Sequence, residues 1–201
     1  MSGSPSDRAR NGRHAVMTGR ETYLRYPTRA DRGEYMTVRL DSRAHLEPWE
    51  ATPPNGPDPF SPEHFKGFLE TCNGHTSHRL LVCLGGSGEI IGQIGLGGIL
   101  RGPFESCFVG YWLAAHRTGR GYMSEAMGLG LAFAFDRLAL HRVEANIMPE
   151  NDRSKALVGR LGFRFEGLAR RYLRINGRWR DHEHWAMTVE EWRARPRPDD
   201  A

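Results

Sequence analysis

From Glu21 onward the chain alternates between two hydrophobic rhythms, one of period two and one of period 3.6. ETYLRYP alternates apolar and polar positions as a strand does and stops at Pro27. Thr28 then caps a predicted helix over ADRGEYMTVRL, and Ser61 followed by Pro62 opens another that runs to about Cys72. SHRLLVCL reads as a strand ending at the turn Gly85-Gly86-Ser87-Gly88. EIIGQIGLGGIL is a second strand, whose glycines mark a bulge or a close backbone approach. CFVGYWLA is a third, followed by a helix from about Met123 to Leu138. HRVEANIM is a fourth main strand, and NDRSKALVGRL a helix that Gly162 stops. FRFEGLARRYLRI, the turn NGR and DHEHWAMTV form a terminal hairpin. Strands first meander and then alternate with helices. The predicted class is therefore α/β (α+β): a central mixed, mostly antiparallel sheet with helices on both faces.

Composition places this pattern in one soluble domain. The chain has 201 residues, 39% hydrophobic and 26% charged, enough to bury a sizeable core. Residues 1–18 are polar and basic and read as a disordered tail, 19–195 as the domain, and 196–201 as a second polar tail. HLEPWEATPPNGPDPFSP, which holds Trp49, is a loop by composition and too long to be idle in a compact domain. No apolar run reaches the ~18 residues of a membrane span, and the N-terminus lacks a signal peptide's apolar centre. The expectation is a cytoplasmic protein without membrane contact. Cys72, Cys83 and Cys107 are odd in number and form no CxxC, and the nine histidines offer no HExxH. Buried, reduced thiols and no metal are expected. A net charge of +4 suits an anionic ligand or a ribosomal neighbourhood without demanding either.

The candidate chemistry begins at HRTGRGYMSEA, residues 116–126. It puts Gly119 and Gly121 between a strand and a helix start. The first N–H groups of a helix lack internal partners and sit at its positive end, so such a turn is an anion seat in principle. Ser124 occupies the third glycine's place of a dinucleotide fingerprint, and no GK[ST] follows.

With its surroundings this stretch resembles the GCN5-related N-acetyltransferases. In that family a strand leads into [QR]xxGx[GA] at the start of the central helix; His116 to Gly121 match, with His116 departing at the first place. ANIMPENDRSKALVGRLGFRFEG resembles the second family signature, with Asn151, Ser154, Leu161, Gly162 and Phe163 at the matching spacing. RRYLRINGRWRDHEHW resembles the closing hairpin of the RimJ/RimL branch, most of all its RimJ group. The likeness covers about residues 20 to 192.

The resemblance implies acetyl-CoA as cosubstrate and an amine attacking in a ternary complex. Backbone groups of Trp112, Leu113 and Ala114 would meet the pantetheine arm, one N–H polarising the thioester carbonyl. Gly119, Arg120, Gly121, Tyr122 and Met123 would surround the pyrophosphate, and Asn151 would bond the pantetheine or its neighbour. Ser154 is the candidate acid for the leaving thiolate, because Val158 stands where many relatives have a tyrosine. Asn146 stands where some have a basic glutamate. That leaves Glu105, Glu50 or a water chain as candidate base, and Tyr172 as a catalytic candidate from the hairpin. Trp49, Glu50 and Asn146 are the expected substrate-side residues. Arg170, Arg171, Arg174, Arg178 and Arg180 would meet the coenzyme 3′-phosphate, ribosomal RNA or solvent, with Arg170 and Arg174 on one strand face. His182 and His184 share a strand face without enough ligands for a metal. The implied acceptor is a protein N-terminus, probed against a small-molecule amine or antibiotic and against a non-catalytic acetyl-CoA-binding assembly factor. The implied assembly is a monomer or homodimer.

Overall fold

The computed structural model describes residues 15–51 and 54–195. Residues 1–14 of the tail expected at 1–18, and the whole tail expected at 196–201, lie outside them. Nine strands among the described residues form one sheet: β1 (Ala15–Thr18), β2 (Thr22–Arg25), β3 (Asn73–Gly74), β4 (Ser77–Leu84), β5 (Ile90–Leu100), β6 (Ser106–Leu113), β7 (Arg142–Ile147), β8 (Arg164–Ile175) and β9 (Arg178–Thr188). Their spatial order is β1-β2-β4-β5-β6-β7-β9-β8, with β3 beside β4. The β6–β7 pair is parallel and the other pairs are antiparallel. The helices are α1 (Arg32–Asp41), α2 (Arg43–Leu46), α3 (Pro62–Thr71), α4 (Tyr122–Ala132), α5 (Asp152–Arg160) and α6 (Val189–Arg193). This is the mixed, mostly antiparallel sheet with helices on both faces that the sequence predicts.

Each face carries its own core. Ile94, Leu96, Val109 and Val143 pack against Met127 and Leu131 of α4 and Leu157 and Val158 of α5. On the opposite face Leu81, Cys83 and Ile90 meet Tyr35 of α1 and Phe65 and Phe68 of α3, with the Tyr35 and Phe68 rings stacked at 5.1 Å. A fully buried Leu, Ile or Phe stabilises the fold by ~1.5–3 kcal/mol, so the two cores hold the helices in place. Local signals set the helix starts. Asp31 accepts from the Thr28 backbone N–H at 2.6 Å, and Ser61 Oγ accepts from His64 N–H at 3.3 Å. The three cysteines are free and buried; burial pushes the Cys83 thiol up to about 11 and that of Cys107 up to about 12.

The decisive irregularity lies at the centre of the sheet. β6 and β7 are in register at Ser106↔Arg142, Cys107↔Val143 and Phe108↔Glu144 and then part. Beyond that point β6 stays bonded to β5 as far as Leu113, and β7 to β9 as far as Ile147. Each strand follows its outer neighbour, so the sheet splits. The glycines of β5 do what its composition predicts. A Cβ at Gly92 would lie 2.4 Å from the Trp112 carbonyl oxygen, and the register shifts between Gly97 and Leu100.

Four features differ from the sequence reading. β1 begins at Ala15, inside the stretch expected as a tail; Val16 and Met17 pack on the main core. The Trp49 loop begins inside α2 and continues as a 3-10 turn at Glu47–Trp49. After β9 comes α6, started by Thr188, whose side chain accepts from Glu191 N–H. The alternation that places Arg170 and Arg174 on one face is interrupted between them. Ala169 pairs with His182 and Leu173 with Arg180, so three β8 residues bulge against one of β9, and Arg171 has φ 50°.

Candidate active site

The turn before α4 is held by its own backbone and by two carboxylates. Gly119 has φ 75° and Gly121 φ 81°, the left-handed region that favours glycine. A Cβ at either position would meet nothing within 4 Å, so glycine is required for the backbone path rather than for room. Glu89 ties the preceding segment through Arg117 at 3.1 Å and His116 at 3.5 Å. His116 therefore serves this tie. Glu125 of α4 reaches back to accept from Glu21 N–H at 3.0 Å and Thr22 Oγ1 at 2.7 Å, fixing the helix start against the β1–β2 turn. The opening amides of α4 have no helical partners and converge at the positive end of its dipole.

Those amides face a cavity of about 890 Å³ that wraps the C-terminal end of β6. It brings together Trp49, Trp112, Leu113, Gly119, Gly121, Tyr122, Met123, Asn151 and Ser154. Two expected neighbours fall outside. Ala114 is fully buried and its N–H donates to Ile91 O at 2.8 Å, so this amide is spent in the fold. The Arg120 side chain is exposed, leaving its backbone as the part within reach of the turn. An elongated, phosphate-bearing thioester fits this arrangement: amides at one end, an unpaired β6 edge along the middle, and a hydroxyl on α5.

That hydroxyl is Ser154, and Asn151 keeps it free. Asn151 is the N-cap of α5, and its Oδ1 accepts from Ser154 N–H at 3.1 Å. Capping is thus done by Asn151, not by the serine. The neighbour that the sequence reading missed is Tyr111. Its buried hydroxyl has no hydrogen-bond partner; burial pushes it up to about 12, against a smaller opposing interaction with Ser154. Only strand alternation in CFVGYWLA could have singled it out. Val158 lies in the core, fully buried.

Two candidate bases are displaced. Glu105 precedes β6, at the far end of the strand from the cavity, a span of about 26 Å at ~3.3 Å per residue. Its side chain pairs with Arg101 at 3.0 Å, and its carbonyl accepts from His141 and Arg142 N–H. It closes a turn. The Glu50 carboxylate pairs with the buried Arg39 at 2.9 Å, whose guanidinium lies 5.2 Å from the Trp112 ring centre. Removing either partner of so buried a pair would strand a charge, so Glu50 serves the fold. Its neighbour Ala51 bridges Ile175, joining the Trp49 segment to the hairpin. Asn146 and Tyr172 do come together, with Asn146 Nδ2 3.4 Å from the Tyr172 hydroxyl, on the sheet face opposite α4. Burial raises the Tyr172 hydroxyl above its ordinary value. Among the described residues no group of three or more His, Cys, Asp or Glu is placed to hold a metal. No helix among them is long and apolar enough to cross a membrane.

Residues 21–164 match the acetyltransferase (GNAT) domain profile. The chain belongs to the GNAT family. Over 104 residues this GNAT chain is 41% identical to the [ribosomal protein uS5]-alanine N-acetyltransferase of Escherichia coli (strain K12), covering 52% of this chain and 54% of that protein. The chain spans about half the length of the curated relatives it matches. Among solved structures it is similar to Mycobacterium smegmatis RimJ in complex with CoA-disulfide, with TM-score 0.78 and 34% identity, covering 85% of this chain and 83% of that one. Similar too is the ribosomal-protein-S5-alanine acetyltransferase from Vibrio fischeri, with TM-score 0.76 and 30% identity, covering 89% and 98%. The family and fold implied by the GxG turn and the LGF block are the ones found.

Proposed function

We propose that this GNAT chain moves an acetyl group from acetyl-CoA to the N-terminal amine of a protein, a ribosomal protein in particular. The observation that carries the reading is the cavity that runs from the α4 amides past Ser154 to Tyr111, Trp112 and Leu113, the part of β6 that lies beyond its pairing with β7. The thioester supplies an activated acyl carbon and a good leaving group. The amides of Gly119 to Met123 hold the pyrophosphate by their fixed dipoles. The unpaired β6 edge at Trp112 and Leu113 orients the arm and offers an N–H to the carbonyl oxygen as its charge grows. Ser154 gives its proton to the departing thiolate, with Asn151 fixing the first turn of α5 on which it stands. Holding both reactants in one geometry supplies much of the rate.

The acceptor class rests on the relatives, whose names specify ribosomal-protein alanine as their target. Arg170, Arg174 and Arg178 carry no ion pair among the described residues, which leaves them for an anionic partner such as ribosomal RNA; Arg180 is already paired with Glu150 at 2.7 Å. The test is thiol release from acetyl-CoA with a panel of acceptors: peptides beginning with Ala, Ser or Thr, end-blocked lysine peptides, polyamines and aminoglycosides. Turnover confined to free peptide N-termini is expected. Turnover on small amines alone overturns the acceptor, and tight acetyl-CoA binding with silence across the panel overturns catalysis.

A further inference from the structure

The face of the sheet away from α4 holds a second polar group that the cofactor cavity does not include. On β7, Val143, Ala145 and Ile147 are buried in the main core, so Asn146 faces the other way. Its direct cross-strand partner on β9 is His184. The Tyr172 ring stands edge-on to His184 at 4.7 Å, and its hydroxyl is 3.4 Å from Asn146 Nδ2. Asn146 Oδ1 and His184 Nε2 are both buried without a hydrogen-bond partner. Two adjacent orphaned atoms of this kind are costly unless something fills their need. The neighbouring His182 is already engaged, its Nδ1 3.1 Å from Arg180 O.

These atoms border the split. Continuing the β6–β7 register two residues beyond Phe108↔Glu144 puts Gly110 across from Asn146. A Cβ at Gly110 would meet nothing within 4 Å, so the space over it is open. Of the nearby carboxylates, Glu144 pairs with Arg142 at 2.8 Å and adds to burial in raising the Tyr172 hydroxyl, and Glu183 accepts from Trp185 Nε1 at 3.1 Å. The free polar atoms gathered here are therefore neutral acceptors, and they lie beside the point where β6 and β7 part.

Building on the acetyl-transfer reading, we propose that Asn146 Oδ1, Tyr172 Oη and His184 Nε2 seat the acceptor's primary amine, and that His184 Nε2 takes its proton. An ammonium brings three N–H donors to three acceptors. One proton passes from the ammonium to Nε2 and on to water. The freed lone pair forms the C–N bond, the C–S bond breaks, and the second amine proton balances the one Ser154 gives the thiolate. An imidazole deprotonates a peptide α-amine, which ionises near ~8, far more readily than a lysine or polyamine, which ionises near ~10. The seat so built favours protein N-termini.

The experiment is steady-state kinetics of the full chain with an Ala-starting peptide, alongside calorimetry with acetyl-CoA. His184→Gln is expected to lower kcat at least tenfold with peptide KM changed less than threefold. Asn146→Leu is expected to raise peptide KM at least tenfold. In both, acetyl-CoA affinity stays within twofold. Variants that turn over the peptide like the parent overturn the seat and leave the acetyltransferase reading standing; a parent silent on every amine sinks both. If either variant loses acetyl-CoA affinity, Tyr172→Phe decides: peptide KM up at least threefold supports the seat, and unchanged kinetics overturn it.

Discussion

The two faces of the split sheet are built on different principles. On the α4 face the proposed recognition groups are backbone amides, placed by two glycines with positive φ and a helix start. On the opposite face the proposed ones are side chains, Asn146, Tyr172 and His184, gathered from three strands. A backbone-built site is specified by a few adjacent residues and tolerates changes of side chain around it. A side-chain-built site depends on register and fails when one member changes.

The sharpest break in this contrast comes from Gly121→Val. At φ 81° a β-branched residue is strongly disfavoured, and the turn must re-form. Acetyl-CoA affinity measured by calorimetry should fall beyond detection; unchanged affinity would remove the phosphate seat. Next is Ser154→Ala, which should lower kcat about 10²-fold with acetyl-CoA KM held, the range expected for a lost general acid. Equal loss in both constants would assign the serine to binding instead. A chain starting at Gly19 should melt about 4 °C below one starting at Ala15, because β1 and its Val16 and Met17 contacts go with it. Equal melting temperatures would return Ala15–Thr18 to the status of a tail. The smallest effect is expected for Glu105→Gln, with kcat within twofold of the parent. A tenfold loss would reinstate it as the base.

The same contrast governs what could be read from the chain. The GxG turn, the Asn151–Ser154 spacing and the LGF stop each lie within a few residues, so their geometry is local and legible. The strands and their meander were legible for the same reason. Glu105 and Glu50 stand near recognisable motifs, yet a strand carries its two ends ~26 Å apart and a buried arginine claims the other carboxylate. His184 and Tyr111 have no local signature, because what isolates their polar atoms is the packing of remote segments. The bulge after Ala169 has no signal in the alternation of the hairpin and interrupts it between Arg170 and Arg174. β1, with four residues, is too short for its alternation to stand out from the polar stretch before it.

The parting of β6 from β7 after Phe108 also has a kinetic consequence. With the amine seated as proposed, the two reactants approach from opposite faces of the sheet, the thioester from the α4 side and the amine from the side of Gly110. Neither needs to arrive first, and neither departing product must wait for the other. On that geometry free coenzyme A competes with acetyl-CoA alone, an acetylated peptide competes with the peptide alone, and double-reciprocal plots at several fixed co-reactant concentrations intersect rather than run parallel.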